Sequence, residues 1–502
     1  MAHKLVRNSI FNFAGAAMPA LANLVAVPVL VNSLGDADYG LLTLVLALVG
    51  YFSLLDISAS QGSTRFIAEY DSLNQPRQAN EVISFGLMIY MAIGLVGMSL
   101  IYLTAPLLIK NVFEIPASSI ATALITLKLA AVAFLFSQLQ SYLNSIPQAM
   151  QRYGVSASTE AFFGSAAPLL SMGVAMLDGK IQDVVAARLG LSVINVGVLL
   201  IITLRLRPSF KFAKPDKRIR RRLLSFSAFS YLSNIATVSY AHADRMILGI
   251  FLGLSQITLY TVPTTLVNRL FGMTYRLGSV IFPTASKLAA AGDKRGVRKI
   301  YLLASRYMTA INSLLILMLV VYGQDLLHLW VGPQFVERGY PVLVLIALGM
   351  LVDSMTNLPS LINNAVAHPR ITGLFAVARG LIGIAALVIG TQKSGIIGTA
   401  LAHLTASILA TSIFMLYVHG RSVPASLIEL FRKAYLPVFM VVAFITGVAW
   451  ITRPPYPAPI IDLLVHGCMI SALYGLLALL LIVIPEHKQA LFKKLPFHQI
   501  TV

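Results

Sequence analysis

Ionisable side chains lie inside long apolar segments of this sequence, and their chemistry needs an explanation. A charged side chain at the centre of a membrane helix costs about 2.5–3.5 kcal/mol even on a lenient insertion scale, so such residues are functional candidates by default. The candidates are Asp56, Lys128, Asp244, Arg245, Arg269, Arg276, Asp353 and Arg379. Three more charged residues lie near the predicted helix ends: Arg65, Glu160 and Arg306. A long side chain at a helix end can reach water, so these charges need no functional role.

Two of the arginines share one face of a predicted helix. Arg269 and Arg276 are seven residues apart, which is two helical turns. The planar guanidinium group donates two parallel hydrogen bonds and therefore suits phosphate. We predict that this stripe receives a diphosphate group, with further binding candidates in Lys128, Arg245 and Arg379. The alternative is a structural ion pair inside the helix bundle, with Asp56, Asp244 or Asp353 as the carboxylate.

A second group of residues could bind and release a coupling ion. The segment 239–245 is polar for a membrane interior, and it contains His242 and Asp244. Neighbours on a helix point about 100° apart, so Asp244 and Arg245 are not expected to neutralise each other. A carboxylate or an imidazole can load a proton, which makes Asp244, His242, Asp56 and Asp353 the ion-coupling candidates. A hydrogen bond that packs two helices together explains them equally well.

Hydroxyl and amide side chains also recur within the apolar segments. These groups bind sugars through directional hydrogen bonds, but their commoner use in membranes is to join helices. They include Asn23, Ser58, Ser60, Gln61, Asn144, Ser145, Gln148, Asn234, Asn357, Asn363 and Asn364.

Motifs for catalysis, metal binding and nucleotide hydrolysis are missing from the sequence. There is no G-x-x-x-x-G-K-[ST] phosphate loop and no H-E-x-x-H pair. The nine histidines are scattered, and the single cysteine, Cys468, excludes a disulfide framework or a cysteine-ligated metal. The loops predicted on the outer side are too short for a catalytic domain. We therefore predict that the protein is not an enzyme and needs no metal or cofactor.

The composition is that of an integral membrane protein. Of 502 residues, 57% are hydrophobic and only 11% are charged, whereas soluble domains contain about 25% charged residues. The net charge of +19 could indicate nucleic-acid binding. However, the cations concentrate in short loops between apolar segments, where Lys and Arg set membrane topology. A nucleic-acid partner is therefore not predicted.

Apolar segments long enough to cross a membrane occur about fourteen times. A spanning helix needs about 20 mostly apolar residues. The predicted spans are 9–32, 40–62, 83–108, 119–145, 158–178, 181–204, 225–253, 256–282, 300–323, 339–365, 371–390, 394–418, 434–452 and 460–485. The richest basic loop, 205–222, carries nine Lys and Arg residues. The positive-inside rule then places this loop and both termini in the cytosol.

The basic loop also divides the chain into two parts with similar hairpins. Leu34-Gly35 lies between the first two spans, and Leu252-Gly253 lies at the corresponding place after the loop. We predict a repeat of six spans: 1–204 as the amino-terminal lobe, 205–224 as the basic loop, 225–418 as the second lobe, and 419–502 as two more spans and a tail. The alternative is that Leu-Gly turns are simply frequent between helices.

These residues resemble the polysaccharide and O-antigen exporters, a flippase family within the multidrug/oligosaccharidyl-lipid/polysaccharide exporter superfamily. The resemblance rests on Arg7-Asn8 before the first span, Leu34-Gly35 with Tyr39-Gly40, and the segment 244–249 followed by Tyr260. It implies an all-α polytopic fold with two six-helix lobes around a central cavity that opens alternately to each side. It also implies an undecaprenyl-diphosphate-linked oligosaccharide as the substrate, moved from the inner to the outer leaflet.

The sequence departs from two relatives of that family. Drug exporters of the superfamily are expected to use acidic residues in the amino-terminal lobe, yet the first span has no charge after Asn8. The peptidoglycan precursor flippase typically carries arginines along its first span, where this chain has only Arg7 at the edge. Both departures favour the oligosaccharide branch.

We therefore predict a flippase in the bacterial cytoplasmic membrane that exports an O-antigen or exopolysaccharide repeat unit. Its expected partners are the lipid-linked oligosaccharide, membrane lipids and other polysaccharide assembly proteins. The alternatives are an exporter of peptidoglycan precursor, of a teichoic-acid-like polymer or of drugs, and a membrane scaffold that moves nothing.

Overall fold

Within the residues that the structure describes, the chain is helical and contains no strand. The structure is a computed structural model. It describes residues 2–57, 59–279, 281–365, 369–419 and 421–488, and for 2–16, 224–230, 232–234, 236–237, 276–279, 282–283, 365 and 369–370 it describes the backbone alone.

The helices follow one another with short connections. Their bounds are α1 (Ala2–Phe52), α2 (Ala59–Ser72), α3 (Pro76–Leu107), α4 (Ile120–Ala149), α5 (Tyr153–Met176), α6 (Ile181–Leu206), α7 (Lys217–Phe251), α8 (Leu254–Ser279), α9 (Phe282–Ala290), α10 (Lys294–Val331), α11 (Val336–Ser354), α12 (Asn357–Ala365), α13 (Pro369–His419), α14 (Leu427–Leu430), α15 (Leu436–Thr452) and α16 (Ile460–Leu477).

Nine helical stretches in the described part of the chain are long and apolar enough to cross a membrane. This confirms the predicted all-α, multi-pass membrane protein, whereas the number fourteen stays a prediction. Two of the long helices contain a turn that separates predicted spans. Gly35 in α1 and Gly395 in α13 have φ angles of 79° and 59°. Glycine enters this left-handed region without a steric penalty, so each of the two glycines lets the chain turn there.

The second and tenth predicted spans are not continuous helices. A tight turn at Ser53–Leu55 ends α1, and Asp56 follows in an extended conformation before α2 begins. Similarly, α11 ends at Ser354 and α12 starts at Asn357. Backbone that leaves the helix at membrane depth must find hydrogen bonds within the protein or line a cavity. At the first interruption a side chain supplies such a bond, because the hydroxyl of Tyr90 accepts from the backbone N–H of Ser60.

The described residues form two compact units. The first unit comprises 1–265 and 376–399. Its core contains the stacked rings of Tyr90 and Tyr142, whose centroids are 5.0 Å apart, and both rings are fully buried. Gly86 lies directly against the Tyr142 ring, and a larger residue there would clash with it. Small residues thus let α3 and α4 approach closely.

The second unit comprises 266–375 and 400–502. Leu317 and Val321 of α10 form a buried cluster with Val438 and Ile445 of α15. The hydroxyl of Tyr474 on α16 donates a 2.7 Å hydrogen bond to the carbonyl of Ala310. The last two long helices, α15 and α16, are therefore packed onto α10. The predicted lobe boundaries at 204, 225 and 418 stay predictions.

Candidate functional site

A cavity of about 440 Å³ lies between α4, α5 and α6 in the first unit. This volume is within the range of small-molecule sites, roughly 300–1,000 Å³. Its lining residues are Ser137, Gln140, Ser141 and Asn144 from α4, Thr159, Glu160, Phe163, Gly164 and Ala167 from α5, and Arg188, Leu191, Ser192, Asn195 and Leu199 from α6. Most of them are polar, in a part of the protein where the surrounding helices are strongly apolar.

Helical periodicity brings the polar groups onto the cavity walls. The α4 residues follow the spacing i, i+3, i+4 and i+7 from Ser137, which is one face of a helix. The α6 residues Arg188, Ser192 and Asn195 follow the same spacing. Two polar stripes on neighbouring helices therefore face the same space.

Hydrogen bonds between the walls hold the amide groups in place. The Nε2 atom of Gln140 donates to the carbonyl of Ser192 at 2.9 Å, which joins α4 to α6. The hydroxyl of Ser156 donates to Oδ1 of Asn144 at 2.8 Å. By contrast, Oδ1 of Asn195 is buried and accepts no hydrogen bond in the structure. The α6 wall therefore contains a buried acceptor that the described residues leave without a hydrogen bond.

Arg188 supplies the positive charge of the cavity. Its side chain is half-buried, and no carboxylate of the described residues lies within 4 Å of it. Glu160, on the α5 wall, is exposed and likewise has no described cation within 4 Å. A guanidinium among hydroxyls and amides can bind an anionic group while its neighbours hydrogen-bond to hydroxyls.

Asp56 lies at the interruption of the second span, also in the first unit. The hydroxyl of Tyr90 donates to Oδ1 of Asp56 at 2.7 Å and accepts from the backbone N–H of Ser60 at 3.1 Å. Tyr90 therefore joins the two sides of the interruption. This contact places the predicted ion-coupling candidate beside a bend in a membrane helix.

The candidates on α7 form contacts with neighbouring helices of the same unit. His242 packs against Gly50, where any larger residue would overlap its ring. The Arg379 guanidinium lies 5.3 Å from the ring centre of Tyr240.

Arg245 and Asp244, which are adjacent on α7, approach to 3.9 Å, so the expectation that these neighbours would not neutralise each other is wrong. Long side chains can bend back toward an adjacent carboxylate even when their Cβ atoms diverge.

The remaining predicted residues occupy separate environments. Lys128 lies 4.8 Å from the ring centre of Tyr102 in the first unit. In the second unit, Nε2 of His403 lies 3.7 Å from Oδ2 of Asp353. Arg269 is exposed on α8, and the side chain of Arg276 is outside the described residues. The predicted arginine stripe thus stays a prediction.

Sequence reasoning missed most of the cavity. The predicted intramembrane charges do not include Arg188, Glu160 is predicted to lie at a helix end, and Asn144 is the one polar wall residue among the predicted hydroxyl and amide positions. A usable signal was present. Hydroxyl and amide residues at helical spacing within an apolar segment, as at 137–144 and 188–195, indicate a polar helix face.

Comparisons with known proteins agree with this architecture. The putative O-antigen transporter of Shigella flexneri is 22% identical over 402 residues, which cover 79% of this chain and 93% of that protein. The probable flippase AglR of Haloferax volcanii is 25% identical over 267 residues, covering 52% of this chain and 54% of that protein. The names of both relatives agree with the prediction that the chain is a transporter and not an enzyme.

Solved structures show the same fold at low sequence identity. The lipid II flippase MurJ in an inward closed conformation superposes with a TM-score of 0.73 at 15% identity, covering 94% of this chain and 98% of that chain. An inward-facing multidrug resistance MATE transporter gives 0.68 at 14% identity, covering 85% and 99%.

The family model for polysaccharide biosynthesis proteins matches residues 5–289, more than half of the chain. This match confirms the resemblance that the sequence motifs indicated. The chain is a member of the polysaccharide biosynthesis protein family.

Proposed function

We propose that the protein is a flippase that moves a lipid-linked oligosaccharide across the bacterial cytoplasmic membrane. The observation that carries the proposal is the cavity between α4, α5 and α6, because its hydroxyls, amides and single guanidinium lie among apolar membrane helices. Such groups have no use toward lipid, whereas a large hydrophilic headgroup needs them to leave water. The family membership and the flippase names of the relatives support the same conclusion.

Each part of the proposed substrate has a chemically matched environment. Sugar hydroxyls suit the amide and hydroxyl walls, and the half-buried Arg188 suits an anionic group. We propose that the diphosphate of an undecaprenyl carrier binds the predicted cations Arg269 and Arg276, with contributions from Lys128, Arg245 and Arg379. The polyprenyl tail can stay in the bilayer, because it is as apolar as the lipid around it.

The transport cycle that we propose is alternating access between two six-helix lobes. In this proposal, the fourteen spans leave both termini in the cytosol, and the substrate moves from the inner to the outer leaflet. Ion coupling is assigned to one or more of Asp56, His242, Asp244 and Asp353. The interruption at Asp56 supports this assignment, since a carboxylate beside a helix bend can change the bend when it changes charge.

The proposal is tested by following lipid-linked oligosaccharide on each leaflet in cells that lack the protein. Complementation would use wild type, Gln140→Leu with Asn195→Leu, and Arg269→Ala with Arg276→Ala. We expect the deletion to trap the glycolipid on the inner leaflet, wild type to release it, and both double variants to release much less. The two variants separately examine the observed cavity and the predicted arginine stripe.

A matched control is Gln138→Leu, which removes an amide from the same helix but from a position that does not line the cavity. This variant should transport normally once its level in the membrane is taken into account. If the deletion leaves the leaflet distribution unchanged, the protein exports another cargo or acts as a scaffold, and the proposal is wrong.

A further inference from the structure

The basic segment 205–222 is a fixed part of the first unit. Arg207 is 6% exposed, and its Nη1 atom lies 3.0 Å from Oδ1 of Asp71 while its Nε donates to Oδ1 of Asn80 at 2.6 Å. Asn80 in turn donates from Nδ2 to the carbonyl of Ser209 at 3.0 Å. The most basic loop of the chain is therefore anchored by one of its own arginines, which is no longer available to other partners.

The same anchoring continues along the segment. The backbone N–H of Ala213 donates to Oγ of Ser84 at 3.0 Å, and that of Asp216 donates to Glu81 at 3.1 Å. Further on, Arg222 binds both carboxylate oxygens of Glu69 at 2.9 and 3.0 Å. These contacts hold one side of the segment against the ends of α2 and α3 and present the other side outward.

The ion pairs near the segment lie on its inward side. The carboxylates Glu69, Asp71 and Glu81 are engaged by Arg222, Arg207 and Arg77 respectively. One further carboxylate, Asp216, lies in the segment itself, where it is exposed and accepts from the backbone N–H of Lys217. The outward cations have no described carboxylate within 4 Å of their charged groups and are exposed: Arg205, Lys211, Lys214, Lys217, Arg218, Arg220 and Arg221. A fixed surface of like charges attracts anions, and its repulsion is relieved when they bind.

An exposed aromatic ring lies within this surface. Phe212 is 65% exposed, whereas Phe210, two residues earlier, packs against the buried core of the first unit. Phe212 is flanked by Lys211 and Lys214, and it follows the end of α6 at Leu206 by six residues. A ring six residues beyond the end of a membrane helix is near enough in the chain to reach the headgroups, where an apolar ring can insert while the ammonium groups meet phosphates.

We infer that the outward surface of segment 205–222 binds the headgroups of anionic phospholipids in the leaflet where α6 ends, with Phe212 inserted beside them. The exposed cations and the exposed ring both fit an anionic phospholipid. Phosphates complement the uncompensated cations, and acyl chains accept the exposed ring. The inference does not depend on the transported cargo. A soluble acidic protein would also complement the charges, but lipid is the favoured occupant because the segment continues directly from the end of the membrane helix α6.

The inference is tested with the full-length protein in nanodiscs, using an indole as a local probe. The chain has two tryptophans, so Phe212→Trp in a Trp330→Phe, Trp450→Phe background reports on position 212 alone. Fluorescence is measured with brominated phosphatidylglycerol or brominated phosphatidylcholine at equal mole fraction. We expect phosphatidylglycerol to quench more strongly, reflecting a local enrichment of about fivefold or more.

Charge variants decide which residues cause the preference. Lys211→Glu with Lys214→Glu should remove it, whereas Lys110→Glu, an exposed lysine outside the segment, should leave it intact. Equal quenching by both lipids would mean that the ring inserts without anionic selection, and the inference would be wrong. Absence of quenching by either lipid would also overturn it, and would leave a soluble partner as the occupant of this surface.

Discussion

Two charged side chains, one in each unit, are compensated in different ways. In the second unit, Asp325 is 1% exposed. Its Oδ2 atom forms an ion pair with Nη2 of Arg453 at 2.5 Å, and its Oδ1 atom accepts from the backbone N–H of Ala458 at 3.1 Å. In the first unit, Arg188 lines a cavity and has no carboxylate within 4 Å among the described residues. Taking a charge out of water is expensive in both cases. Pairing with Arg453 explains Asp325 structurally, whereas for Arg188 we propose an anionic ligand.

The contrast refines the rule that an ionisable residue in a membrane helix is functional by default. Arg306, for example, donates to the carbonyl of Leu481 at 2.5 Å in the second unit, which gives it a structural use. The carboxylates at the helix interruptions differ as well: Asp56 binds a phenol, and Asp353 lies beside an imidazole. Mutating a charged residue that is paired within the protein is thus expected to reduce stability. Mutating a charged residue that faces a cavity without an ion-pair partner is expected to reduce transport.

The largest effect on stability is expected from Asp325→Ala, which breaks the buried ion pair with Arg453. Arg453 would keep its charge in a site where only 11% of its side chain is exposed. Removing one partner of a buried pair costs about 3–5 kcal/mol. Thermal unfolding in detergent should show a large drop in Tm. Asp462→Ala is the matched control, because Asp462 is exposed and should change stability by under about 1 kcal/mol.

A somewhat smaller effect, on transport instead of stability, is expected for Arg188→Gln. A hydrogen bond to a charged group contributes about 1.5–3 kcal/mol, which corresponds to roughly 10- to 100-fold in binding. Release of glycolipid to the outer leaflet should fall by that factor with little change in Tm, and Arg188→Lys should recover part of it. A large drop in Tm with normal transport per folded molecule would show that Arg188 is structural.

The interruption at Asp56 should respond more mildly to Tyr90→Phe. This change removes both hydrogen bonds of the Tyr90 hydroxyl, each worth about 1 kcal/mol, and leaves the ring stacked on Tyr142. We expect a modest drop in Tm and a several-fold decrease in transport. Asp56→Asn should in addition flatten the dependence of transport on pH. If pH dependence is lost with Asp353→Asn or Asp244→Asn but kept with Asp56→Asn, coupling does not pass through Asp56.

The smallest effect is expected for Lys433→Ala. Its exposed ammonium group lies 2.9 Å from Glu429, and Arg298 contacts the other oxygen of the same carboxylate. The Lys433 side chain is 64% exposed, and an ion pair to a solvent-exposed ammonium group contributes about 0–1 kcal/mol. Arg298 also keeps Glu429 paired when Lys433 is removed. The Tm should therefore shift very little. A drop as large as that of Asp325→Ala would remove the distinction between closed interior pairs and surface pairs.

Much of the architecture could be predicted from the sequence. Apolar length alone indicated a helical, multi-pass membrane protein, because only a helix satisfies every backbone group within its own segment. The turns at Gly35 and Gly395 lie in the predicted connections 32–40 and 390–394 or one residue beyond. Diffuse motifs such as Leu34-Gly35 with Tyr39-Gly40 also indicated the family, which the match over residues 5–289 confirms.

The partners of individual side chains could not be predicted in the same way. Arg207 and Lys211 were equivalent members of a basic loop in the sequence, yet one is buried against Asp71 and the other is exposed. Nothing in the sequence around Asp56 indicates that Tyr90, 34 residues later, donates a hydrogen bond to it across a helix interruption. Such pairings depend on which helices become neighbours and how each is rotated.

Hydrophobic length and loop charge act locally along the chain, so they are enough to identify a helical, multi-pass membrane protein, and local motifs are enough to indicate its family. That polar stripes on α4 and α6 face one cavity, with Arg188 in its wall, is visible only in the folded molecule. The same is true of Arg207, which anchors the basic segment while the cations around Phe212 point outward. Burial and pairing are properties of contacts between helices, and these contacts exist only once the helices have packed.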